Sequence, residues 1–252
     1  MSERTRILAV DAGNSRVKWA MYEGDACTAE NSCATGELKR LDEYWSVLDI
    51  PAVVVISNVA GDVVGTHLTR GCEALGRVPT WIKAQACQCG VSNAYDDPAQ
   101  LGSDRWAALI GAYSLSPGNC VVVCMGTATT IDALTGAGDF LGGMILPGFD
   151  MMHASLATNT ARLGAERGRP VVFPHSTRDA ITTGAVRATC GAIRSALDDM
   201  KKAGYDDITV IGTGGAAPIF STACGFPMVL REKLVLDGLA RIGQTLTGTG
   251  RE

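Results

Sequence analysis

A strand that runs into a tight glycine turn and returns as a second strand occurs twice in this sequence. The first copy is the apolar strand at residues 7–11, which ends in a carboxylate, then the turn Asp11–Ser15 and the alternating segment Arg16–Tyr22. The second is the apolar run at residues 121–124, the turn Met125–Thr130 and the strand Thr130–Thr135. Because the whole strand-turn-strand plan recurs, the sequence indicates two similar halves rather than one continuous sheet.

Glycine turns of this kind are typical of anion-binding sites. Glycine has no Cβ atom, so backbone N–H groups can come close to a phosphate. A third such turn, Gly212–Gly215, follows another apolar strand, and the chain contains neither a GxxxxGK[ST] nor a GxGxxG pattern. Together the three turns predict an actin-like nucleotide cleft. In it the two hairpins hold the phosphates from both sides and the late turn borders the adenosine. An ordinary β-meander with tight turns is the alternative.

Strands and helices alternate along the rest of the chain, which favours an α/β layer architecture. The predicted fold is therefore α/β, with an N-terminal half at residues 1–116 and a C-terminal half at residues 117–252. Each half is expected to be a mixed sheet flanked by helices, with the ATP cleft between them. The predicted strand Phe140–Leu146 contains Gly142 and Gly143, which indicates a close approach of a ligand or another backbone.

Composition excludes several classes of protein. The 252 residues carry a formal charge of −4 and contain no basic run, so no nucleic-acid partner is expected. The apolar runs are far shorter than a membrane span, and the chain enters its first strand with no secretory pattern. The nine cysteines are scattered without metal-ligand spacing. We therefore expect reduced thiols, no structural metal and a cytoplasmic location.

A helix predicted after Leu101 places an acid where chemistry is possible. Its apolar residues have the spacing of one helical face, and Ser103 is the expected N-cap. Asp104 and Arg105 then lie in the first turn, where unpaired N–H groups point toward the cleft. The alternative is that Asp104 only complements the helix dipole.

Four motifs in order give a specific resemblance. They are Asp11–Ser15, Leu101–Arg105, Gly126–Asp132 with Gly142-Gly143, and Pro147-Gly148. With this arrangement the chain resembles the type III pantothenate kinases, also called the Bvg accessory factor family. That family belongs to the superfamily of acetate and sugar kinases, Hsp70 and actin. The resemblance implies two ribonuclease H-like halves and extends from residue 11 to Gly215.

The resemblance also implies site residues, a general base at Asp104 and a magnesium ion held through water by Asp11. The positions that match the family's ATP site are Asp11, Ala12, Gly13, Asn14, Ser15, Arg16, Val17, Lys18 and Thr127. Those that match its pantothenate site are Tyr95, Gly102, Ser103, Asp104, Arg105 and Thr177. In the family the threonine at the last position reaches the substrate from the partner subunit of a homodimer.

One position departs from the family pattern. The residue before Met125 is usually an aspartate that binds a monovalent cation, K⁺ or NH₄⁺, and here it is Cys124. A neutral thiol is a poor ligand for a hard cation, which makes the monovalent cation doubtful in this protein.

The expected activity is ATP-dependent phosphorylation of the terminal hydroxyl of pantothenate, the first step of coenzyme A biosynthesis. One alternative keeps the fold and changes the substrate to another small hydroxyl compound, since fold alone does not fix substrate. Another is a non-catalytic, ATP-binding regulatory protein, which need not keep an acid at position 104.

Overall fold

The computed structural model describes residues 5–115, 118–160, 163–164 and 166–248. They form two compact units, Met1–Pro117 with Lys233–Glu252 (unit 1) and Gly118–Glu232 (unit 2). The predicted boundary between residues 116 and 117 falls on two residues outside the described part. Among the described residues, none of the helices combines the length and apolar character that crossing a membrane requires.

Unit 1 is a five-stranded sheet with helices on both faces. Its strands are β1 (Arg6–Ala12), β2 (Arg16–Glu23), β3 (Ala26–Ala34), β4 (Val53–Asn58) and β5 (Pro79–Trp81), and a short hairpin follows, β6 (Cys87–Gln88) and β7 (Val91–Asn93). Its helices are α1 (Lys39–Trp45), α2 (Asp62–Ala74), α3 (Ser103–Leu115) and α7 (Leu234–Leu246). The order in the sheet is β3-β2-β1-β4-β5, with β4 parallel to β1 and β2 antiparallel to it.

Strand β1 is apolar from Ile7 to Val10 because both of its faces are covered. Leu8 and Val10 pack into a core with Leu41 of α1 and Leu68 of α2. A Cβ atom at Gly243 of α7 would lie 2.7 Å from Ile7, so α7 covers the opposite face. This two-sided burial explains why the strand contains consecutive apolar residues rather than an alternation of apolar and polar ones.

Unit 2 repeats the topology of unit 1. Its strands are β8 (Cys120–Met125), β9 (Ala128–Leu134), β10 (Asp139–Pro147), β11 (Thr209–Thr213) and β12 (Val229–Leu230), and its helices are α4 (Phe149–Asn159), α5 (Thr177–Lys202) and α6 (Ala217–Ala223). The strand order β10-β9-β8-β11-β12 matches that of unit 1, with the same antiparallel and parallel pairings. The prediction of two similar α/β halves is therefore confirmed.

The C-terminal helix differs from its predicted place. The second half was expected to end at residue 252, whereas Lys233–Glu252 belong to unit 1. Helix α7 crosses α3 at glycines, since a Cβ atom at Gly111 would lie 2.3 Å from the Leu234 carbonyl oxygen and one at Gly238 would lie 1.8 Å from that of Ala107. Such a close crossing is possible only without side chains at both positions.

One further expectation needs correction. Cys190 and Cys224 form a disulfide that joins α5 to the residue after α6, so these two cysteines are not reduced thiols. Their separation of 34 residues in sequence left no spacing pattern to indicate the pair. Gly142 has φ 131° and lies at a register shift between β10 and β9, and no described residue comes within 4 Å of where its Cβ atom would lie. A positive φ at a β-bulge favours glycine at this position, and the close approach of a ligand stays a prediction.

Candidate active site

The first predicted phosphate-binding segment is the hairpin of β1 and β2. Asp11 faces Lys18 across the two strands, and the Gly13 N–H donates a hydrogen bond of 3.0 Å to the Arg16 carbonyl. Ala12 and Val17 are buried beneath the turn, whereas Asn14, Ser15 and Arg16 are exposed. The buried pair anchors the hairpin and leaves the turn backbone accessible to a ligand.

The Asp11 carboxylate is in an unfavourable environment. Its Oδ1 atom is inaccessible to solvent and has no hydrogen-bond partner among the described residues. Burial, and next the negative charge of Asp104, raise the pKa of Asp11 from 3.8 to about 7, while Lys18 acts in the opposite direction. A buried polar atom without a partner is rare, and it often marks the place of an ion or a ligand.

A magnesium ion fits this carboxylate. Within the described part of the chain, no group of three or more His, Cys, Asp or Glu side chains could enclose a metal. Mg²⁺ does not need such an enclosure, because it keeps several waters and is held by one or two carboxylates together with substrate phosphates. The orphaned oxygen of Asp11 is the donor that such an ion would use, directly or through a water.

The predicted base, Asp104, lies in the first turn of α3 as expected. Its Oδ1 accepts a hydrogen bond of 2.8 Å from the Arg105 N–H, and a Cβ atom at Gly102 would lie only 2.7 Å from the same oxygen. A glycine at 102 therefore leaves room for the carboxylate. The negative charge of Asp104 contributes to the raised pKa of Asp11, so the two carboxylates interact electrostatically.

Ser103 does not act as the N-cap. Helix α3 begins at Ser103 itself, and the Gly102 carbonyl accepts the first helical hydrogen bond, from Trp106. The Ser103 hydroxyl lies 2.9 Å from that of Ser57, a residue fully buried at the end of β4. Ser57 was not predicted, although it follows a buried strand and lies beside Asp11 in the parallel register of β1 and β4.

Two of the predicted substrate residues meet directly. Arg105 is only 5% exposed, and its Nη1 donates a hydrogen bond of 3.0 Å to the Tyr95 hydroxyl. The guanidinium carbon also lies 5.8 Å from the centre of the Tyr95 ring. A buried guanidinium held in this way presents a fixed positive charge, which suits recognition of an anionic substrate.

The second glycine turn lies in unit 2 between β8 and β9. The Gly126 N–H donates to the Ala128 carbonyl at 3.0 Å, and Thr127 is exposed. A Cβ atom at Gly148 would lie 2.3 Å from the Gly126 carbonyl oxygen, so the start of α4 packs against this turn. Cys124 faces Thr130 across the strands. Asp132 faces Val122 at a different level of the sheet, so its position does not coincide with that of Cys124.

The late glycine turn packs onto the same edge of unit 2. Gly214 has φ 96°, and a Cβ atom there would lie 2.4 Å from the Met125 carbonyl oxygen. The Ala216 N–H also donates to that carbonyl, at 3.3 Å. Glycine is therefore required both for its backbone conformation and for the close approach to the end of β8.

Thr177 also belongs to unit 2, as the first residue of α5. The Ser176 hydroxyl caps this helix by accepting the Asp179 N–H at 3.2 Å. Thr177 lines a mainly apolar cavity of about 590 Å³ between α4 and α5, whose other walls include Pro147, Met152, Leu156, Gly184 and Ala188.

Comparison with known proteins assigns the chain to a family. A model of the type III pantothenate kinase family matches residues 7–199. The chain belongs to this family. A type III pantothenate kinase of Aromatoleum aromaticum is 42% identical over 238 residues, covering 94% of this chain and 98% of that protein. One of Nitrosospira multiformis is 41% identical over 244 residues, covering 96% and 93%.

Solved structures show the fold that this chain shares. A conserved protein described as a Baf family transcriptional activator from Campylobacter jejuni matches with a TM-score of 0.65 at 20% identity, covering 96% of this chain and 99% of that one. MreB5 of Spiroplasma citri, bound to ADP, matches with a TM-score of 0.52 at 11% identity, covering 97% and 98%. The prediction of an actin-like α/β fold is confirmed.

Proposed function

We propose that the protein transfers the γ-phosphoryl group of ATP to the terminal hydroxyl of pantothenate. The product is phosphopantothenate, and the reaction is the first step of coenzyme A biosynthesis. The observation that carries the proposal is the buried Oδ1 of Asp11, which has no partner among the described residues, in a chain of this family. In the proposal Asp11 holds a cation, and Asp104, in the first turn of α3, receives a proton.

Each residue has a defined role in this proposal. Asp104 orients the substrate hydroxyl and accepts its proton as the hydroxyl attacks the γ-phosphorus. Tyr95 and Arg105, with Gly102 and Ser103, bind pantothenate, and the guanidinium balances the charge of its carboxylate. The remaining residues of the proposed site contact ATP: Asp11, Ala12, Gly13, Asn14, Ser15, Arg16, Val17, Lys18 and Thr127.

The chemistry matches what such a site can supply. Phosphoryl transfer depends on positioning and charge neutralisation more than on covalent participation by the protein. Backbone N–H groups of the turns and the Lys18 ammonium neutralise phosphate oxygens. Mg²⁺, held by Asp11, supplies further neutralisation when it is bound with ATP.

We also propose a cytoplasmic location. The Cys190–Cys224 disulfide runs against it, because such bonds are rare in cytosolic proteins.

A coupled assay of ADP release tests the activity. We expect Mg²⁺-ATP turnover that depends on pantothenate, measured against a panel of other small hydroxyl compounds. Stimulation by another compound and none by pantothenate would assign the protein to a different kinase substrate. ATP binding without turnover on any compound would instead support a regulatory protein.

The same assay tests the cation question raised by Cys124. We expect activity in Tris buffer without K⁺ or NH₄⁺ to be within about twofold of that in K⁺ at ~0.1 M, a difference of roughly 0.4 kcal/mol. The reason is that position 124 offers no carboxylate to a hard cation. The Cys124→Asp variant is the comparison, and a collapse of wild-type activity without K⁺ would contradict the expectation.

We further propose a homodimer that shares its active sites. The apolar cavity between α4 and α5 offers a second copy a surface with several small side chains, and Thr177 is one of the residues that line it. In this arrangement Thr177 of one subunit contacts pantothenate bound to the other. Closed two-fold dimers are the commonest homo-oligomers.

Subunit mixing tests the shared site. Asp104→Asn and Thr177→Arg proteins, each of low activity alone, are allowed to exchange subunits. Half of the dimers are then mixed, and each mixed dimer contains one intact site, so about a quarter of wild-type activity should return. A fully active monomer in light scattering, or no recovery after proven exchange, would show that Thr177 does not act across subunits.

A further inference from the structure

Thr35, the first residue after β3, holds the turn between β1 and β2 from outside the hairpin. Its Oγ1 donates a hydrogen bond of 2.8 Å to the Gly13 carbonyl, and its N–H donates one of 3.1 Å to the Ser15 carbonyl. The side chain is half-buried. Two carbonyl oxygens of the exposed turn are thus occupied by a single residue from the neighbouring strand.

These contacts fix the direction of the turn's N–H groups. In a planar trans peptide, the carbonyl of one residue and the N–H of the next point in opposite directions. With the carbonyls of Gly13 and Ser15 directed at Thr35, the N–H groups of Asn14 and Arg16 are directed away from it. The turn therefore presents donors rather than acceptors on the side opposite Thr35, as binding of a phosphate requires.

Unit 2 contains the same arrangement at the equivalent place. Gly148 is the first residue after β10, the counterpart of β3, and its N–H donates to the Thr127 carbonyl at 3.0 Å. Thr127 lies in the β8–β9 turn as Ser15 lies in the β1–β2 turn. In unit 1 the arrangement is reinforced by a side-chain hydroxyl, which glycine cannot supply. In both units the first residue after the third strand donates its N–H to a carbonyl of the turn, so this contact is a common feature of the two turns.

We propose that Thr35 is a positioning residue for the triphosphate of ATP. Its hydroxyl holds the Gly13 carbonyl so that the turn's amides are already oriented when the nucleotide arrives. Preorganised amides gain affinity because binding does not then have to order them. The proposal rests on the assignment of Asp11–Lys18 to ATP made above.

The Thr35→Val variant removes the hydroxyl and keeps the shape and the backbone hydrogen bond. A hydrogen bond contributes enough to stability that its loss should raise the Kd for Mg²⁺-ATP, measured by calorimetry, and the KM for ATP by about three- to tenfold. The KM for pantothenate should stay within about twofold, because both hydrogen bonds described for Thr35 go to the turn proposed to bind ATP. Thr35→Ser, which retains the hydroxyl, should restore ATP affinity to within about twofold of wild type.

Thr28→Val is the matched control. Thr28 lies in β3, the strand that precedes Thr35, and its hydroxyl donates to the Met21 carbonyl at 3.3 Å, away from the turn, so ATP affinity should not change. If Thr35→Val is too unstable to purify, Thr35→Ala provides the same comparison. A lower Tm with unchanged ATP affinity would show a merely structural role and overturn the proposal. Failure of the wild-type protein to bind ATP would instead overturn the assignment of the turn, a different result.

Discussion

Replacing Asp104 by asparagine should lower kcat for pantothenate phosphorylation by about 10² to 10⁴, the range typical of a lost general base. The amide keeps the size of the side chain and can still accept the Arg105 N–H through its oxygen. It cannot accept a proton from the substrate hydroxyl. The fold and the Kd for Mg²⁺-ATP should therefore be unchanged. Steady-state kinetics measures the fall in kcat, and calorimetry measures the Kd for Mg²⁺-ATP.

Asp97→Asn is a suitable control for this experiment. Asp97 accepts the Ala99 N–H at 3.1 Å in the segment that precedes α3, and asparagine can make the same contact. Its kcat should be within about twofold of wild type because it is assigned no proton transfer. A fall of less than about threefold for Asp104→Asn would mean that Asp104 only complements the dipole of α3.

Replacing Asp11 by asparagine should have opposite effects on activity and on stability. Loss of the carboxylate proposed to hold Mg²⁺ should lower kcat/KM by roughly 10² or more, since metal neutralisation of a phosphoryl group contributes several kcal/mol. The unliganded variant, in contrast, should unfold at a higher temperature than wild type at pH 8. Asparagine removes a charge whose Oδ1 lacks a partner among the described residues.

The pH dependence of this stability follows from the pKa of Asp11, which is about 7 in the folded protein against an ordinary value of 3.8. Between these values the unfolded chain is ionised while the folded protein still holds the proton, so wild-type stability falls as the pH rises from about 4 to about 7. Above pH 7 the whole loss in the free energy of unfolding of wild type remains. The free energy of unfolding of Asp11→Asn should therefore exceed that of wild type by on the order of 1 to 4 kcal/mol at pH 8, and by little near pH 4.

Thermal unfolding at the two pH values measures this difference. Asp62→Asn, which removes an exposed acid from the first turn of α2 in the same unit, should not show the pH-dependent gain. Mg²⁺-ATP should stabilise wild type more than Asp11→Asn, because at one ligand concentration the tighter-binding protein gains more stability. A variant less stable than wild type at pH 8 would mean that Asp11 is satisfied in the free protein.

The strands and turns near the site could be predicted because local signals encode them. Buried runs such as residues 7–11, and the glycines that follow them, define the hairpins in both units. Asp104 could be placed in a first helical turn from the spacing of the apolar residues after it. In each case the determining residues lie close together in sequence, where periodicity and turn chemistry operate.

Other features depend on contacts between distant segments. Strand β3 was not predicted because most of its residues are exposed and it lacks the alternation of a half-buried strand. For the same reason Thr35, which follows it, could not be recognised as a contact of the β1–β2 turn. Ser57 comes next to Asp11 only because β4 pairs with β1 in the folded sheet. The residues around Cys190 give no local sign of its pairing with Cys224.

The close crossing of α3 and α7 has a consequence for synthesis on the ribosome. Unit 2 is one continuous segment, so it can fold as soon as Glu232 has left the exit tunnel. Unit 1 begins first but cannot complete its core until Leu234–Leu246, the last helix, has emerged to cover β1 and α3. Domains usually fold in the order of their synthesis, N-terminal first. Here unit 1, whose synthesis begins first, completes its fold last. A ribosome that stops before Leu234 releases a chain in which one apolar face of the unit 1 sheet is uncovered.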